Sequence, residues 1–207
     1  MNARIQNYNN RPTIFIDNKP VPPIIYALTD WPGGRLSYEE STVFSIKRFA
    51  SAGVSLYQLD ISFEDMWLKD GSLDISIALK QIQGIIDIKP DAVVFFRLHT
   101  NPPKWWYADN ESEWVRYANT EVYPEPDMNK IQSYLHYDQK PVPRPSFASE
   151  KWINDMSIMI KRFLNELYES PLSVHLGGIH IASGLYGENH YWAFVGNDPD
   201  ISEPMLR

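Results

Sequence analysis

The sequence predicts an α/β fold, with parallel strands forming an incomplete (β/α)8 (TIM) barrel of about four βα units. Short apolar runs alternate with helical segments along the 207 residues, as in βαβ units. A flavodoxin-like sheet has the same alternation, but polar candidates follow successive strand ends, where barrel enzymes place their sites. A complete barrel needs roughly 250 residues. We therefore expect one partial barrel domain over residues 1–207.

The first elements lie before residue 54. Residues 14–21 alternate weakly and contain a turn signal, and the apolar run 22–29 is the first predicted barrel strand. Ser37 and Glu40 match a capping box, which predicts the start of a helix. Gly53 is placed to end that helix.

Two further strands and a helix follow. Residues 54–61 form the second predicted strand, and residues 91–99 form the third, which is apolar almost throughout. Between them, apolar residues at helical spacing predict a helix that ends before Pro90. Residues 101–150 are rich in Pro, Trp and Tyr, and we expect a long functional loop insertion there.

The last predicted elements are a third helix and a fourth strand. The helix carries an apolar stripe, and the strand covers residues 178–183. The stripe consists of Trp152, Met156, Met159, Phe163 and Leu167.

Composition limits the classes of ligand. The net charge is −7 without a Lys or Arg cluster, which argues against a nucleic-acid surface. Aromatic residues make up 14% of the chain, and their flat faces suit a neutral carbohydrate, although packing explains any single one equally well. There are no cysteines, and no stretch of about 18 apolar residues or apolar leader predicts a membrane span or signal peptide. The compartment stays open, and no cofactor is expected.

Glu188 is the candidate catalytic residue. It follows the fourth predicted strand and lies near Tyr186, Tyr191 and Trp192 in the sequence. Burial beside aromatic rings would raise its pKa and retain the proton that a general acid needs. The alternative is a solvated loop glutamate.

Polar residues at the second and third strand ends are candidate ligand contacts. Arg97 and His99 are two apart on a strand, so their side chains share a face. Asp60 ends the preceding strand and could bind a sugar hydroxyl or pair with Arg97. A structural ion pair or hydrogen-bonded network is the alternative function of this group.

Indoles and imidazoles complete the predicted substrate site. Trp105 and Trp106 follow two prolines that stiffen their loop, and we expect one to pack while the other lines a sugar subsite. His190 and Trp192 flank Glu188 on the other side and are further candidates for substrate binding. His180 could face a barrel interior or the core. The histidines show no metal-binding spacing, so no metal site is expected.

Four stretches together resemble the amino-terminal half of (β/α)8 glycoside hydrolases, closest to the β-galactosidase-like family 42 group. They are LDISFE at 59–64, FRLHTNPPKWW at 96–106, PSFASEKW at 145–152 and GIHIASGLYGE at 178–188. The resemblance implies retaining hydrolysis of O-glycosidic bonds with Glu188 as acid/base. Gly187 stands where that group usually has Asn.

The resemblance also implies a nucleophilic glutamate after a seventh strand, for which this chain offers no counterpart. The isolated chain is therefore expected to be inactive as a glycosidase. The alternative function is a non-catalytic sugar-binding or structural half-barrel. A half-barrel would expose strand edges and apolar faces, so we also expect a homo-oligomer or association with a missing carboxyl-terminal half.

Overall fold

A computed structural model of the chain describes residues 2–28, 33–118, 144–184, 189, 191 and 199–207. The chain divides into two compact units. Unit 1 comprises residues 1–61, 75–98 and 165–180, and unit 2 comprises residues 62–74, 99–164 and 181–207. The single domain with a loop insertion at 101–150 stays a prediction.

Unit 1 begins with a three-stranded antiparallel sheet in the order β1-β2-β3. Two-residue turns join β1 to β2 and β2 to β3, at Asn9-Asn10 and Asp17-Asn18. All four turn residues have positive φ, the conformation that tight hairpin turns require and that Asn and Asp tolerate. The strands are Ala3–Tyr8 (β1), Arg11–Ile16 (β2) and Lys19–Val21 (β3).

The second sheet is parallel and contains four strands in the order β4-β5-β6-β7. Its central strands β5 and β6 are largely buried, which accounts for their nearly continuous apolar sequences. These four strands match the four runs predicted from the sequence. They are Ile25–Ala27 (β4), Leu56–Ser62 (β5), Val93–His99 (β6) and Leu176–Ala182 (β7).

The prediction of an incomplete (β/α)8 barrel is wrong. The structure is mixed α/β, with the four-stranded parallel sheet and a separate three-stranded antiparallel sheet. Alternation of strands and helices identifies parallel strands, but it does not report the stagger and tilt that close a barrel. The two hairpin turns at Asn9-Asn10 and Asp17-Asn18 were also not recognised as hairpin signals.

Three longer helices connect or follow the strands, and they lie in the three segments for which helices were predicted. Three short α-helices and two 3-10 turns complete the described structure. The α-helices are Glu40–Ser51 (α1), Phe63–Met66 (α2), Ser76–Ile86 (α3), Lys104–Asp109 (α4), Glu150–Glu169 (α5) and Glu203–Leu206 (α6). The 3-10 turns are Glu111–Glu113 and Pro171–His175.

The capping box predicted at Ser37 does not form. The N-cap residue of α1 is Glu39, without a side-chain cap. Ser37 is fully buried instead, and its hydroxyl donates to the backbone oxygen of Gln81 at 2.7 Å. The Gln81 side-chain oxygen accepts from the Ser37 N–H at 2.9 Å. Ser37 therefore ties the segment before α1 to α3, a long-range contact that a local sequence pattern does not reveal.

The apolar stripe of α5 is buried as its spacing predicts. Met156, Met159, Phe163 and Leu167 are all nearly or fully buried. The stripe begins in unit 2, where the Phe163 ring packs edge-to-face on Phe63 at a centroid distance of 6.4 Å. The Phe63 contact anchors α5 within unit 2, and Trp152 lies on the first turns of the same helix.

Candidate functional site

In unit 1, the predicted residues Asp60 and Arg97 form an ion pair between neighbouring strands β5 and β6. Arg97 Nη2 donates to Asp60 Oδ2 at 2.9 Å, and Arg97 Nε donates to Asp60 Oδ1. Asp60 is 3% exposed. Gln81 Nε2 adds a bond to the Asp60 backbone oxygen at 3.1 Å. The pairing alternative left open by the sequence is thus realised, while a ligand contact from either residue stays a prediction.

In unit 2, the carboxyl ends of β6 and β7 carry a row of buried polar residues. Thr100 donates to the backbone oxygen of Ala182 twice, from its N–H at 2.8 Å and from its hydroxyl at 3.0 Å. His99, Thr100, Asn101 and Ser183 are all at most 5% exposed. The two strand ends are therefore held together with polar side chains around them. In open parallel sheets this edge is where ligands bind.

Two polar atoms at this edge lack protein partners. Among the described residues, neither Asn101 Oδ1 nor Ser183 Oγ forms a hydrogen bond. Leaving a buried polar group unsatisfied costs about 1–3 kcal/mol. Such groups occur where a ligand or ordered water completes the bonding. Ser183 directly follows β7, and Asn101 is the second residue after β6.

Three half-buried aromatic residues lie beside this edge, and we call them the aromatic cluster: Phe147, Trp152 and Tyr191. Trp152 Nε1 donates to the backbone oxygen of Thr100 at 3.1 Å, which places the indole at the end of β6. Phe147 packs on Trp152 with ring centroids 5.9 Å apart and stacks on Tyr191 at 4.4 Å. The cluster supplies flat apolar surface next to the unsatisfied polar atoms.

Tyr191 is held in this cluster by hydrogen bonds at its hydroxyl. The hydroxyl accepts from the Phe147 N–H at 2.6 Å and donates to Asp200 Oδ2 at 3.2 Å. Burial raises the pKa of Tyr191 to about 12, and the Phe147 N–H partly opposes that rise. Tyr191 is therefore a neutral phenol under ordinary conditions.

The two predicted indoles of α4 have different environments. Trp106 is 1% exposed and donates from Nε1 to Asp155 Oδ2 at 2.7 Å, so it packs inside unit 2. Trp105 is half-buried, donates to the Trp67 backbone oxygen at 3.3 Å, and meets the Trp67 ring edge-to-face at 4.8 Å. Of the pair, Trp105 retains a face for a ligand.

Glu188, the predicted catalytic residue, lies outside the described residues. So do His190 and Trp192, the other candidates on the same segment. Asn189, which follows Glu188 in the sequence, is described, and its N–H donates to the Ser183 oxygen at 2.8 Å. That bond returns the chain to the end of β7, directly beside one of the unsatisfied atoms.

Other chemical features of the described chain are limited. His180 is exposed on β7, in neither the core nor a barrel interior. The described residues contain no group of three or more His, Asp or Glu side chains arranged to hold a metal ion. None of the helices in the described ranges is long and apolar enough to cross a membrane.

Sequence reasoning missed most of the unit 2 edge. Asn101, Ser183 and Trp152 were read only as parts of a loop, a strand and a helical stripe. The available signal was position, since Asn101 comes just after the predicted third strand and Ser183 is the last residue of the predicted fourth strand. The sequence matches no protein-family model and no curated protein.

Proposed function

We propose that this protein binds a carbohydrate at the carboxyl ends of β6 and β7 and belongs to the glycoside hydrolase-like class. The observation that carries the proposal is the pairing of unsatisfied buried atoms, Asn101 Oδ1 and Ser183 Oγ, with the aromatic cluster. Sugar rings combine apolar C–H faces with hydroxyls that both donate and accept. That combination is complementary to this edge.

The polar atoms favour a hydroxylated ligand. Asn101 Oδ1 accepts hydrogen bonds only, whereas the Ser183 hydroxyl donates and accepts. A sugar hydroxyl can satisfy each of them, which a purely apolar ligand cannot. The nearby Trp152 indole is already bonded to Thr100, so its ring face is the part available for stacking.

The proposed reaction is hydrolysis of an O-glycosidic bond, with β-galactosides as the first substrates to test. In the retaining mechanism, the Glu188 carboxyl gives its proton to the departing glycosidic oxygen while a carboxylate nucleophile bonds to the anomeric carbon. Glu188 then takes a proton from water, which displaces the nucleophile. This proposal assigns the acid/base role to Glu188 and leaves the nucleophile unassigned.

A sugar-binding protein without turnover is the second candidate. The hydrogen bonding of Asp60, a carboxylate near the carboxyl end of β5, favours this candidate. Asp60 is buried and bonded through both oxygens to Arg97, and a carboxylate held in this way is a poor nucleophile. We expect little or no hydrolysis by the isolated chain for this reason.

The two candidates are separated by one set of assays on the wild-type chain and Glu188→Gln. Aryl β-galactosides report turnover, and isothermal titration with methyl β-galactoside reports binding. Exposed Glu169, altered to Gln, is the control for a charge change elsewhere on the chain. Turnover that is lost only in Glu188→Gln supports the hydrolase, and binding without turnover supports the second candidate. Robust turnover that survives Glu188→Gln would refute the acid/base assignment.

Association with a second copy or with a carboxyl-terminal partner is retained as a proposal. In the described part of the chain, β4 and β7 are the outer strands of the parallel sheet, and outer strands can pair with other chains. Light scattering over a dilution series tests it. A monomer at all concentrations would contradict self-association.

A further inference from the structure

Glu113 is a buried carboxylate of unit 2 that the proposed function does not use. It ends the 3-10 turn Glu111–Glu113 and is 8% exposed. Its Oε2 atom accepts from the Ser149 hydroxyl at 2.6 Å, and its Oε1 atom accepts from Arg207 Nη2 at 3.4 Å. The Arg207 side chain is more than half exposed, so the short bond from Ser149 is the stronger of the two. The main partner of this carboxylate is therefore Ser149.

The fully buried Ser149 hydroxyl connects this carboxylate to the aromatic cluster. Its hydrogen is donated to Glu113, and its oxygen accepts from the Trp152 N–H at 3.0 Å. Ser149 directly precedes α5, and acceptance from a backbone N–H three residues later is the usual side-chain cap of a helix start. The Trp152 indole is held separately, by its bond to the Thr100 backbone oxygen. Glu113 thus orients the hydroxyl that holds the backbone of Trp152.

The backbone of Glu113 holds a second ring of the cluster. Its oxygen accepts from the Ser146 N–H at 2.8 Å, and Ser146 directly precedes Phe147. An antiparallel β-bridge one residue further along supports this pairing. Phe147 and Trp152, whose ring centroids lie 5.9 Å apart, are thus connected to one residue, the first through its backbone and the second through its side chain. Glu113 is therefore placed to set how these two rings lie relative to each other.

We propose that Glu113 is a positioning residue of the carbohydrate site, whose carboxylate acts through Ser149 to fix the spacing of the Phe147 and Trp152 rings. The proposal rests on the proposed function. Glu113 acts without touching the ligand. A sugar ring binds best to an apolar surface that already has its bound arrangement, because ordering a mobile surface lowers the affinity. Without the carboxylate, the Ser149 hydroxyl is free to turn away from the Trp152 N–H, and the aromatic surface loses its fixed spacing.

The test measures binding of methyl β-galactoside to matched variants by isothermal titration, at a temperature where urea denaturation shows each variant to be folded. We expect Glu113→Ala to bind about fivefold more weakly than wild type, because the released rings must then be ordered on binding. Glu113→Gln should restore the affinity to within about twofold, because its amide oxygen still accepts from Ser149. The control Glu111→Ala removes a carboxylate of the same turn whose side chain is 72% exposed, and it should bind as wild type does.

A double-mutant cycle separates positioning through Ser149 from a general structural role. If the carboxylate acts through this hydroxyl, Ser149→Ala should weaken binding to a similar extent. The double variant Glu113→Ala/Ser149→Ala should then bind no more weakly than either single variant, since both changes break the same connection. Gly177→Ala, which introduces overpacking in unit 1, should keep wild-type affinity and show that a loss of stability alone does not weaken binding.

Wild-type affinity in a folded Glu113→Ala would overturn the proposal, and so would additive losses in the cycle. Weak binding by a folded Glu113→Gln would also overturn it, because that variant retains the acceptor. If Glu113→Ala does not fold, Ser149→Ala decides, and unchanged affinity in that variant would contradict the connection. If the wild-type chain does not bind the sugar, the proposed carbohydrate function fails and the positioning role fails with it. If wild type binds and the alanine variants bind equally well, only the positioning role fails.

Discussion

Arg97 and Asp60 join the two central strands of the parallel sheet through two hydrogen bonds between one guanidinium and one carboxylate. Asp60 is almost completely buried, whereas Arg97 retains 23% exposure of its side chain. The guanidinium therefore offsets part of the cost of burying that carboxylate. This contribution makes the pair a structural requirement of unit 1, whatever ligand either residue also contacts.

Loss of one partner should destabilise the chain strongly. We expect Arg97→Met to lower the free energy of unfolding by about 3 kcal/mol, because the buried Asp60 carboxylate then loses two hydrogen bonds and the charge of the guanidinium. The control is Lys89→Met, which breaks a pair with Asp91, a residue whose side chain is 74% exposed. That change should cost less than about 1 kcal/mol. Urea denaturation measures both, and equal losses would contradict the structural assignment.

Adjacent glycines on β7 provide a second pair of matched variants. A Cβ at residue 177 would overlap the Val93 side chain and lie 2.8 Å from the Phe95 ring, whereas one at residue 178 would lie 3.3 Å from that ring. We expect Gly177→Ala to cost about 1–3 kcal/mol through overpacking against β6. Gly178→Ala should cost clearly less. Thermal unfolding that ranks the two variants in the opposite order would contradict the β6-β7 packing.

The raised pKa of Tyr191 predicts a dependence of stability on pH. The pKa is about 12 in the folded chain and near 10 in an unfolded one, so the folded state holds the phenolic proton more tightly. This stabilising contribution is complete below about pH 10 and is lost as the pH rises toward 12. Tyr191→Phe should therefore lose less stability between pH 9 and 11.5 than wild type.

Urea denaturation across that pH range checks the prediction. Tyr168→Phe is the control, because Tyr168 is 65% exposed and its removal should leave the pH dependence as in wild type. An unchanged pH dependence in Tyr191→Phe would mean that Tyr191 is solvated rather than held in the aromatic cluster.

Local patterns predicted the parallel strands and the longer helices because each carries its own periodicity. The buried strand β6 and the stripe of α5 are clear from apolar spacing alone. The fold class failed because it depends on how the strands join in space. The sequence predicted a turn within residues 14–21, but neither the Asn9-Asn10 nor the Asp17-Asn18 turn was predicted to join antiparallel strands.

Part of the site was predictable because some of its residues lie near strand ends that the sequence reveals. Asp60 and Arg97 were chosen as polar residues near strand ends, and a pair between them was one of two predicted alternatives. Asn101 and Ser183 attracted no attention because Asn and Ser are common in loops, and only burial without partners distinguishes them. Burial of that kind depends on distant packing, such as the bond from Trp152 to Thr100. No local pattern reports it.

The most direct test of the carbohydrate site is the affinity of Ser183→Ala for the tightest ligand among methyl β-galactoside, methyl β-glucoside and their uronic acids. The Ser183 hydroxyl has no partner among the described residues, so its removal should not lower stability. Ser202→Ala is the matched control, because Ser202 is also buried and its hydroxyl also lacks a described partner, but it precedes α6. Isothermal titration should show about fivefold weaker binding for Ser183→Ala and wild-type binding for Ser202→Ala. Unchanged affinity in a stably folded Ser183→Ala would contradict the proposed site.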